Sequence, residues 1–261
     1  MGTDLQLIDT IFFSDKRKNL LLLLKDGPKT IEEIKTKLEV SSSPIMAQIR
    51  VLQKDELIVQ KRDVYELSVK GKLIIPKMEP LLSTFQVFDE NYDYWARQDL
   101  STLPPHLLDR IGEFKNCKEI IPERTHIFDY PPEIIDPLQR SRTVMEVSSF
   151  FRPGYPHLYL NLAKKGIEVS LVLERPIYTK LISDYRKEVE EFINMKNTRL
   201  FVCDNRIELA SSIVTDHFVS LSLVSKDGRY YNHEMVSFEK SAISWGQELF
   251  SYYMEMSEQI Q

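Results

Sequence analysis

Apolar residues recur every three or four positions through the first part of the chain and then give way to two short extended runs. This change of period predicts helices first and a two-stranded hairpin after them. The order is that of a helix-turn-helix followed by a β-hairpin wing. The predicted elements are helices over residues 5–12, 15–25, 30–38 and 44–54 and strands over residues 57–61 and 64–68.

Local signals support these helix ends. Gly27 and Pro28 stop the second helix, and Thr30 with Glu33 forms a capping box that starts the third. Pro44 suits the first turn of the fourth helix, because the first N–H groups of a helix have no partner within it. Along that helix, three aliphatic residues share the side that we expect to be buried: Ile45, Ile49 and Leu52.

The polar side of the fourth helix is the predicted DNA-binding surface, since the last helix of a helix-turn-helix enters the major groove. Its side chains would reach base edges or flanking phosphates, and the tip of the wing would lie near adjacent phosphates or the minor groove. The candidates for DNA contact are Ser42, Ser43, Met46, Gln48, Arg50, Lys54, Lys61 and Arg62. For each of them, a solvated side chain without a DNA contact is the alternative.

The stretch "TIEEIKTKLEVSSSPIMAQIRVLQKDELI" carries a family resemblance. Through it, segment 14–70 resembles the winged-helix domain of archaeal and bacterial regulators of the ArsR and TrmB kind. The resemblance implies a transcription regulator that binds double-stranded DNA. Winged helices also serve as protein–protein modules, so an adaptor that never touches DNA stays open as an alternative.

A connecting segment follows over residues 76–103. Pro76 and Pro80 predict that its helix begins near them and does not run through both. The apolar stripe of this helix either packs on the second domain or pairs with the same helix of another subunit. Residues 99–105 are the predicted hinge.

Residues 104–261 alternate between helical and extended patterns, which predicts an α/β domain with a mixed sheet. The fold class expected for the chain is therefore α+β or α/β, with a winged helix-turn-helix over residues 1–75 and a larger regulatory domain over 104–261. The predicted helices are 106–114, 133–140, 156–165, 177–195 and 239–260, and the predicted strands are 117–121, 143–147, 167–173, 198–203, 213–214, 218–224 and one from 230 onward.

Two stretches of this domain, "DLSTLPPHLLDRIGEFKNCKEII" and "VSLSLVSKDGRYYNHEMVSFEKSAISWGQELFSYYM", carry a second resemblance. Over about residues 95–255 the chain resembles the C-terminal regulatory domain of the methanogenesis-regulator (Fil-type) archaeal transcription factors. That domain looks like one half of a phospholipase D-type fold. The family pairs it with an N-terminal winged helix, as here.

The residues do not support catalysis in this domain. A phospholipase D site needs His-x-Lys-x4-Asp, and His217 is followed by Phe218 and Val219 with no lysine at the required position. The histidines show no metal-ligand spacing, and no glycine-rich phosphate or dinucleotide motif occurs, so we expect no metal and no cofactor. An enzyme of phosphodiester chemistry is the less favoured alternative.

A ligand pocket is predicted where the strands end, because open α/β sheets bind ligands at the carboxyl ends of their strands. Arginines there would suit an anionic small-molecule effector, although each could pair with an acidic neighbour instead. The candidates are Ser148, Ser149, Arg152, Arg175, Arg206 and Asp216.

Charge and composition sharpen this hypothesis. The chain has a net charge of −5, but residues 1–77 carry 14 Lys and Arg against 11 Asp and Glu, which is +3, and the rest carries −8. A small basic segment binds DNA weakly alone, so we expect a homodimer. The isolated Cys117 and Cys203 and the absence of a long apolar run predict a cytoplasmic protein without a membrane segment.

Overall fold

The computed structural model describes residues 6–122, 130 and 132–260, and the chain divides into two compact units, residues 1–82 (unit 1) and residues 83–261 (unit 2). Residue 5, which was predicted to lie in the first helix, is outside the described residues. None of the helices that the described residues form combines the length and the apolar composition needed to cross a bilayer.

Unit 1 has the element order predicted for a winged helix-turn-helix, which confirms that part of the fold. Its elements are α1 (Gln6–Phe12), α2 (Asp15–Lys25), β1 (Lys29–Thr30), α3 (Ile31–Leu38), α4 (Ser42–Lys54), β2 (Ile58–Lys61), β3 (Val64–Leu67) and the first part of α5 (Val69–Glu90).

The residues predicted to end the second helix of unit 1 and to begin the third do so in the structure. Thr30 Oγ1 accepts a hydrogen bond from the N–H of Glu33 at 3.3 Å, and the Glu33 carboxylate accepts one from the N–H of Thr30 at 2.7 Å, so the capping box is confirmed. Gly27 follows α2 with a φ of +113°, a conformation that favours glycine. The aliphatic side of α4 lies in the core of unit 1, where Ile45, Ile49 and Leu52 have no exposed surface.

The wing is the predicted hairpin, and its two strands are antiparallel. Ile58 pairs with Leu67 and Lys61 with Val64, and the turn between the strands is Arg62 and Asp63. Arg62 adopts a φ of +55°, which helps the two-residue turn to reverse the chain. β1 pairs with the other edge of β3, so the hairpin belongs to a three-stranded sheet of order β1-β3-β2.

The predicted start of the connecting helix is wrong, because α5 begins at Val69 and runs through both Pro76 and Pro80. Ser68 supports the early start by accepting a hydrogen bond from the N–H of Gly71 at 3.0 Å. A proline inside a helix removes one backbone hydrogen bond and bends the helix, but burial of neighbouring side chains can outweigh that cost. Here Ile75, just before Pro76, and Met78, between the two prolines, are both buried.

Unit 2 is built around a mixed sheet, as predicted, and among the described residues this sheet has eight strands. Its elements are the last part of α5, α6 (Tyr92–Arg97), α7 (Pro105–Leu108), β4 (Lys118–Ile120), α8 (Pro132–Arg140), β5 (Thr143–Ser148), α9 (Tyr155–Lys164), β6 (Glu168–Glu174), α10 (Arg175–Asp184), α11 (Arg186–Ile193), β7 (Thr198–Cys203), β8 (Leu209–Thr215), β9 (Val219–Leu223), β10 (Glu234–Ser237), α12 (Lys240–Glu255) and β11 (Ser257–Ile260), with 3-10 helices at Leu100–Thr102 and Ile111–Phe114.

The strand order is β11-β7-β6-β5-β8-β9-β10-β4. β5, β6 and β7 are parallel, and the other neighbouring pairs are antiparallel. Helices cover both faces: Trp245 and Leu249 of α12 lie in one core cluster, and Tyr159 of α9 and Phe192 of α11 lie in the other. Because both faces are covered, side chains that alternate along the central strands are buried on either side.

The segment predicted as a hinge is instead fixed within unit 2. The N–H of Asp99 donates to the carbonyl of Val224 at 3.1 Å, and Gln98 forms a β-bridge with Ser225. Leu103 is buried. The polar and proline-rich composition of 99–105 therefore marks a tight connection rather than a flexible one. The predicted helix 106–114 is likewise divided into α7 and a 3-10 turn.

Two of the longer predicted helices differ from the structure: one is divided into two helices, and the other ends earlier than predicted. The helix expected over 177–195 is interrupted at Tyr185, whose φ of −138° separates α10 from α11. The helix expected over 239–260 ends at Glu255, and the chain then pairs with β7 as β11. In both places the apolar spacing continues through the break, so periodicity alone could not reveal it.

We predict that Gly246→Ala destabilises unit 2. A Cβ at Gly246 would lie 2.6 Å from Cγ2 of Val219, a buried residue of β9, so α12 or the strand must move. We expect a loss of about 1–3 kcal/mol in the free energy of unfolding, as for other overpacked cores. Urea denaturation of the variant beside Gln247→Ala, an exposed neighbour on the same helix, measures this. Equal stability of Gly246→Ala and the wild type would contradict the close packing.

Candidate functional site

The outward side of α4 carries a stripe of small and basic side chains. Ser43, Ala47, Arg50 and Lys54 are exposed, and their spacing of four, three and four residues places them on one side of the helix, opposite the buried aliphatic residues. We call these four residues the α4 stripe. The short side chain of Ala47 projects little from the middle of the stripe. The backbone of α4 can therefore approach a flat or grooved surface closely at this point.

Two other DNA-contact candidates on α4 lie beside the stripe rather than in it. Met46 is half-buried, and its sulfur accepts a hydrogen bond from the Tyr65 hydroxyl at 4.0 Å. Gln48 is half-buried on the opposite flank, where its Oε1 accepts a hydrogen bond from Nη1 of Arg17 at 3.0 Å. Both side chains are thus engaged within unit 1.

The remaining candidates lie at the start of α4 and on the wing. Ser42 is exposed in the first turn of α4, which begins two residues before Pro44. Lys61 forms an ion pair with Glu66, and the hydrogen bond from that lysine lowers the pKa of the Glu66 carboxyl. Arg62 is exposed at the tip.

The basic groups of this surface are available to an external partner. Arg50, Lys54 and Arg62 form no ion pair with any residue that the structure describes. Guanidinium and ammonium groups in this state can bind phosphate oxygens, and a helix of this width fits the major groove of B-form DNA. The geometry of unit 1 therefore defines a candidate nucleic-acid interface.

The predicted ligand pocket at the strand ends of unit 2 is not assembled. Arg175 lies 2.7 Å from Asp204, and Arg206 is exposed. Asp216 lies at the opposite end of the sheet, where its Oδ1 accepts from the N–H of Arg142 at 2.9 Å. The reason is that β8 runs antiparallel to β5, so its carboxyl end meets the amino end of β5.

Three of the predicted ligand residues do lie together near the carboxyl end of β5. The Ser148 hydroxyl donates to the carbonyl of Phe150 at 3.0 Å, and the Ser149 hydroxyl donates to the carbonyl of Leu209 at 2.7 Å. Arg152 is buried nearby and already has an anionic partner, Glu234, at 2.5 Å. An anionic ligand at Arg152 would have to displace that carboxylate.

One face of the sheet carries polar side chains where a core is normally apolar. Paired residues of antiparallel strands point to the same face, and so do residues two apart along a strand. In addition to Thr215 at the carboxyl end of β8, the registers of β5, β8, β9 and β10 therefore place six buried polar residues on the face that α9 covers. They are Glu146, Ser148, Ser211, Ser220, Ser222 and Glu234. We call these six residues the polar cluster, together with Arg152 and the three tyrosines that donate to or accept from them, Tyr130, Tyr159 and Tyr230.

Arg152 and Glu234 form the charged part of the polar cluster. Arg152 Nη2 donates to Glu234 Oε1 and, at 2.7 Å, to the hydroxyl of Tyr230. Its guanidinium also lies 4.1 Å from the centre of the Tyr130 ring, a favourable cation–π distance. The other oxygen of Glu234 accepts from the Ser220 hydroxyl. The buried ion pair is thus surrounded by further polar groups, which such a pair requires.

Glu146 is the second carboxyl group of the polar cluster and has no cation of its own. Burial raises its pKa to about 8; Arg152 opposes the shift and Glu234 adds to it. The carboxyl accepts hydrogen bonds from the hydroxyls of Tyr159 and, at 3.2 Å, Tyr130. At neutral pH most molecules therefore hold Glu146 protonated, as a neutral hydrogen-bonding group.

The sequence contains a signal for the polar cluster that apolar periodicity does not use. In "VSLSL", serine alternates with apolar residues, which is typical of a strand with one face in solvent. Here both faces are covered, so the same alternation marks buried polar positions.

The two cysteines and the histidines form no further site in the described residues. Cys117 and Cys203 are free thiols and are buried. No group of three or more side chains that could hold a metal ion occurs among the described residues.

The combination of a helix-turn-helix, a wing and a mixed-sheet second unit defines a two-unit winged-helix protein. The chain belongs to the family of the methanogenesis regulatory protein FilR1. The family model of the FilR1 N-terminal domain matches residues 5–86, and that of the FilR1 middle domain matches residues 127–256. The family resemblance inferred from the sequence is thereby confirmed.

Individual relatives are more distant. The chain is 25% identical over 252 residues to the methanogenesis regulatory protein FilR1 of Methanothrix harundinacea (strain 6Ac), covering 95% of this chain and 56% of that protein. The chain thus spans a little over half the length of the curated relative. Among solved structures it is similar to TrmBL2, described as an archaeal chromatin protein, with 14% identity, 98% of both chains covered and a TM-score of 0.45. It is also similar to Nuc, a phospholipase D family member from Salmonella typhimurium, with 12% identity, 56% of this chain and 99% of that chain covered and a TM-score of 0.36.

We predict that Glu146→Gln reduces the pH dependence of stability. In the folded protein the Glu146 carboxyl has a pKa of about 8, and in the unfolded chain it has an ordinary value near 4.3. Between these values the folded state holds one proton more than the unfolded state, so stability decreases as pH rises through this range. The slope of this contribution approaches about 1.4 kcal/mol per pH unit.

Urea denaturation at pH 5.5 and pH 8.0 tests this prediction. Glutamine removes the titrating group and keeps an amide of similar shape, so we expect the variant to lose less stability than the wild type at the higher pH. Glu168→Gln, at an exposed position near the start of β6, is the matched control. A wild type and a Glu146→Gln variant with the same pH dependence would show that the carboxyl is ionised in the folded protein.

Proposed function

We propose that the protein is a DNA-binding transcriptional regulator that reads DNA with α4 and its wing. The observation that carries this proposal is the α4 stripe, a row of small and basic side chains opposite a buried aliphatic side. Membership in the FilR1 family supports it, because the relative's name assigns it a regulatory role.

In the proposed complex, α4 lies in the major groove with Ala47 closest to the floor. Arg50 and Lys54 project from the same side and reach base edges or the flanking phosphates. The wing extends beyond the end of α4, and Arg62 at its tip contacts an adjacent phosphate. Lys61 is held by Glu66, so its contribution to phosphate binding is smaller than that of Arg62.

The charge distribution favours contact through unit 1 only. Residues 1–77 carry +3, and the remaining residues carry −8, so the acidic part of the chain is repelled by the phosphate backbone. A surface with so few excess positive charges binds a single site weakly at physiological salt. Two copies bound to two half-sites would supply the missing affinity, since they share one DNA molecule.

We infer that α5 supplies the surface for this pairing. Within unit 1, Val69, Leu73 and Leu81 are 78%, 65% and 45% exposed. They are separated by multiples of four residues and therefore follow one ridge of the helix. Large aliphatic side chains in such a row are typical of a helix that packs on another helix, so the occupant we propose is α5 of a second copy.

The input that controls DNA binding is proposed to act through unit 2. The polar cluster supports this, because one of its hydroxyl groups, that of Ser211, is buried without a hydrogen-bond partner among the described residues. Arg152 is neutralised by Glu234, so the geometry does not favour the anionic effector that the sequence suggested. An uncharged polar molecule that pairs with the Ser211 hydroxyl agrees better with the site.

We predict that Arg50→Ala weakens DNA binding and reduces its salt dependence. Removing one phosphate-binding side chain lowers the slope of log affinity against log salt by about 1. Fluorescence anisotropy with a duplex from the region upstream of the protein's own gene, and with a random duplex of equal length, measures both quantities. Lys77→Ala, an exposed basic residue of α5, is the control for loss of charge. Absent or salt-independent binding by the wild type would exclude the proposal and favour a protein–protein adaptor.

We predict that Leu73→Glu converts the protein to a monomer. A carboxylate placed on the apolar ridge of α5 would have to lose its hydration in the dimer, which costs several kcal/mol. Sedimentation velocity of the variant gives its mass directly. Lys72→Glu places an acidic side chain on a neighbouring, exposed part of the same helix and should leave the dimer intact. A wild type that sediments as a monomer at all concentrations would contradict the proposed interface.

A further inference from the structure

Arg17 connects three helices of unit 1 through one guanidinium group. It lies in the first turn of α2, and its Nε donates to the carbonyl of Thr10 in α1. Nη2 donates to the carbonyl of Asp9 at 3.4 Å, and Nη1 donates to Oε1 of Gln48 in α4 at 3.0 Å. Each of the three nitrogen atoms therefore has a different acceptor, and α1, α2 and α4 meet at this residue.

The chemistry of the contact determines how Gln48 is oriented. A guanidinium group has donors only, so the amide oxygen of Gln48 must face Arg17 and the amide nitrogen must face away. The carbonyls of Thr10 and Asp9 lie toward the C-terminal end of α1, where the last backbone oxygens of a helix need partners from outside it, although the Asp9 carbonyl also accepts from the N–H of Phe13 at 3.2 Å. The positive charge of Arg17 is favourable at this end of a helix. Arg17 thus donates to acceptor groups on both α1 and α4 from one side chain.

A second contact reinforces the same junction. The Thr10 hydroxyl donates to Oδ2 of Asp55 at 2.6 Å, and Asp55 is the residue that ends α4. α1 is therefore tied to α4 at two points, in the middle through Arg17 and Gln48 and at the end through Thr10 and Asp55. Two separated contacts resist rotation and sliding of a helix better than one.

The position of Gln48 on α4 separates it from the α4 stripe. Successive residues of an α-helix are about 100° apart, so Gln48 is turned by about that angle from Ala47, toward Arg17 of α2. It is half-buried, whereas the stripe residues are exposed. To contact a base, the Gln48 side chain would have to break its hydrogen bond with Arg17. Nη1 of Arg17, which is partly buried, would then lose its acceptor.

We propose that Arg17 and Gln48 are positioning residues that hold α4 at the rotation needed to present the α4 stripe to DNA, and that Gln48 does not read bases. This inference rests on the proposed function. It changes the role expected for Gln48 from a DNA contact to an internal support. It also assigns a role in DNA recognition to Arg17, which is in α2 and outside the winged-helix surface that faces DNA.

A double-mutant cycle tests the proposal with DNA affinity as the readout. Arg17→Lys keeps the positive charge, but one ammonium cannot serve three acceptors on three sides. Gln48→Ala removes the acceptor on α4. We expect each variant to weaken binding to the upstream duplex about 10-fold, and the double variant to be no weaker than Arg17→Lys alone, because both variants remove the contact between Arg17 and Gln48. The order of preference among single-base variants of the duplex should stay as in the wild type.

Gln48→Glu is the conservative variant that separates the two roles of this side chain. It keeps an oxygen acceptor for Arg17 and removes the amide N–H groups that a base contact would need. We expect it to bind DNA within about threefold of the wild type at high salt, where the repulsion of the added charge is screened. Far-ultraviolet circular dichroism and thermal unfolding of each variant establish that unit 1 is folded.

Three results would overturn the proposal. Arg17→Lys binding as tightly as the wild type would show that only the charge of Arg17 matters. Additive losses in the double variant would show that the two residues act independently. A loss of preference at one base pair in Gln48→Ala and Gln48→Glu would show that Gln48 reads that base. Failure of the proposed function looks different, because the wild type then binds no duplex at all, while the coupling of Arg17 and Gln48 remains measurable in the free energy of unfolding.

Discussion

Burial of one side of α4 is the constraint on which the rest of unit 1 depends. Ile45, Ile49 and Leu52 are removed from water, and their transfer to the core fixes the rotation of the helix about its axis. Once that rotation is fixed, the opposite side must face outward, and it carries the α4 stripe. The same rotation brings Gln48 to Arg17. A core that contacts no ligand therefore decides which side chains are presented to a partner.

Unit 2 is governed by a different constraint, the cost of placing charge inside a covered sheet. Arg152 and Glu234 meet it by pairing with each other and with neutral hydroxyls, and Glu146 meets it by retaining a proton. Such an arrangement is sensitive to small changes, because removing any one partner leaves a buried group unsatisfied. That sensitivity is the physical reason for our proposal that unit 2 receives the regulatory input.

Much of the fold follows from local signals, and the errors occur where local signals compete with burial. The capping box at Thr30, the hairpin turn at Arg62 and the mixed sheet are all predictable from residue type and spacing. The start of α5 is not, because two prolines argue against a helix that packing nevertheless maintains. Nor is β11, because its apolar spacing fits a helix and only an unpaired edge of β7 makes a strand there.

The amino-acid sequence by itself determined the winged helix, its family, the buried side of α4 and the uneven charge of the two parts of the chain, because each depends on residue type at short spacing. The tertiary structure decided which polar residues are free and which are engaged. Gln48 and Arg50 are two residues apart and equally polar in the sequence, yet one is held by Arg17 and the other faces outward. Likewise, Arg152 and Glu234 are 82 positions apart, and only the antiparallel sheet brings them together. Long-range contacts of this kind leave no local periodicity.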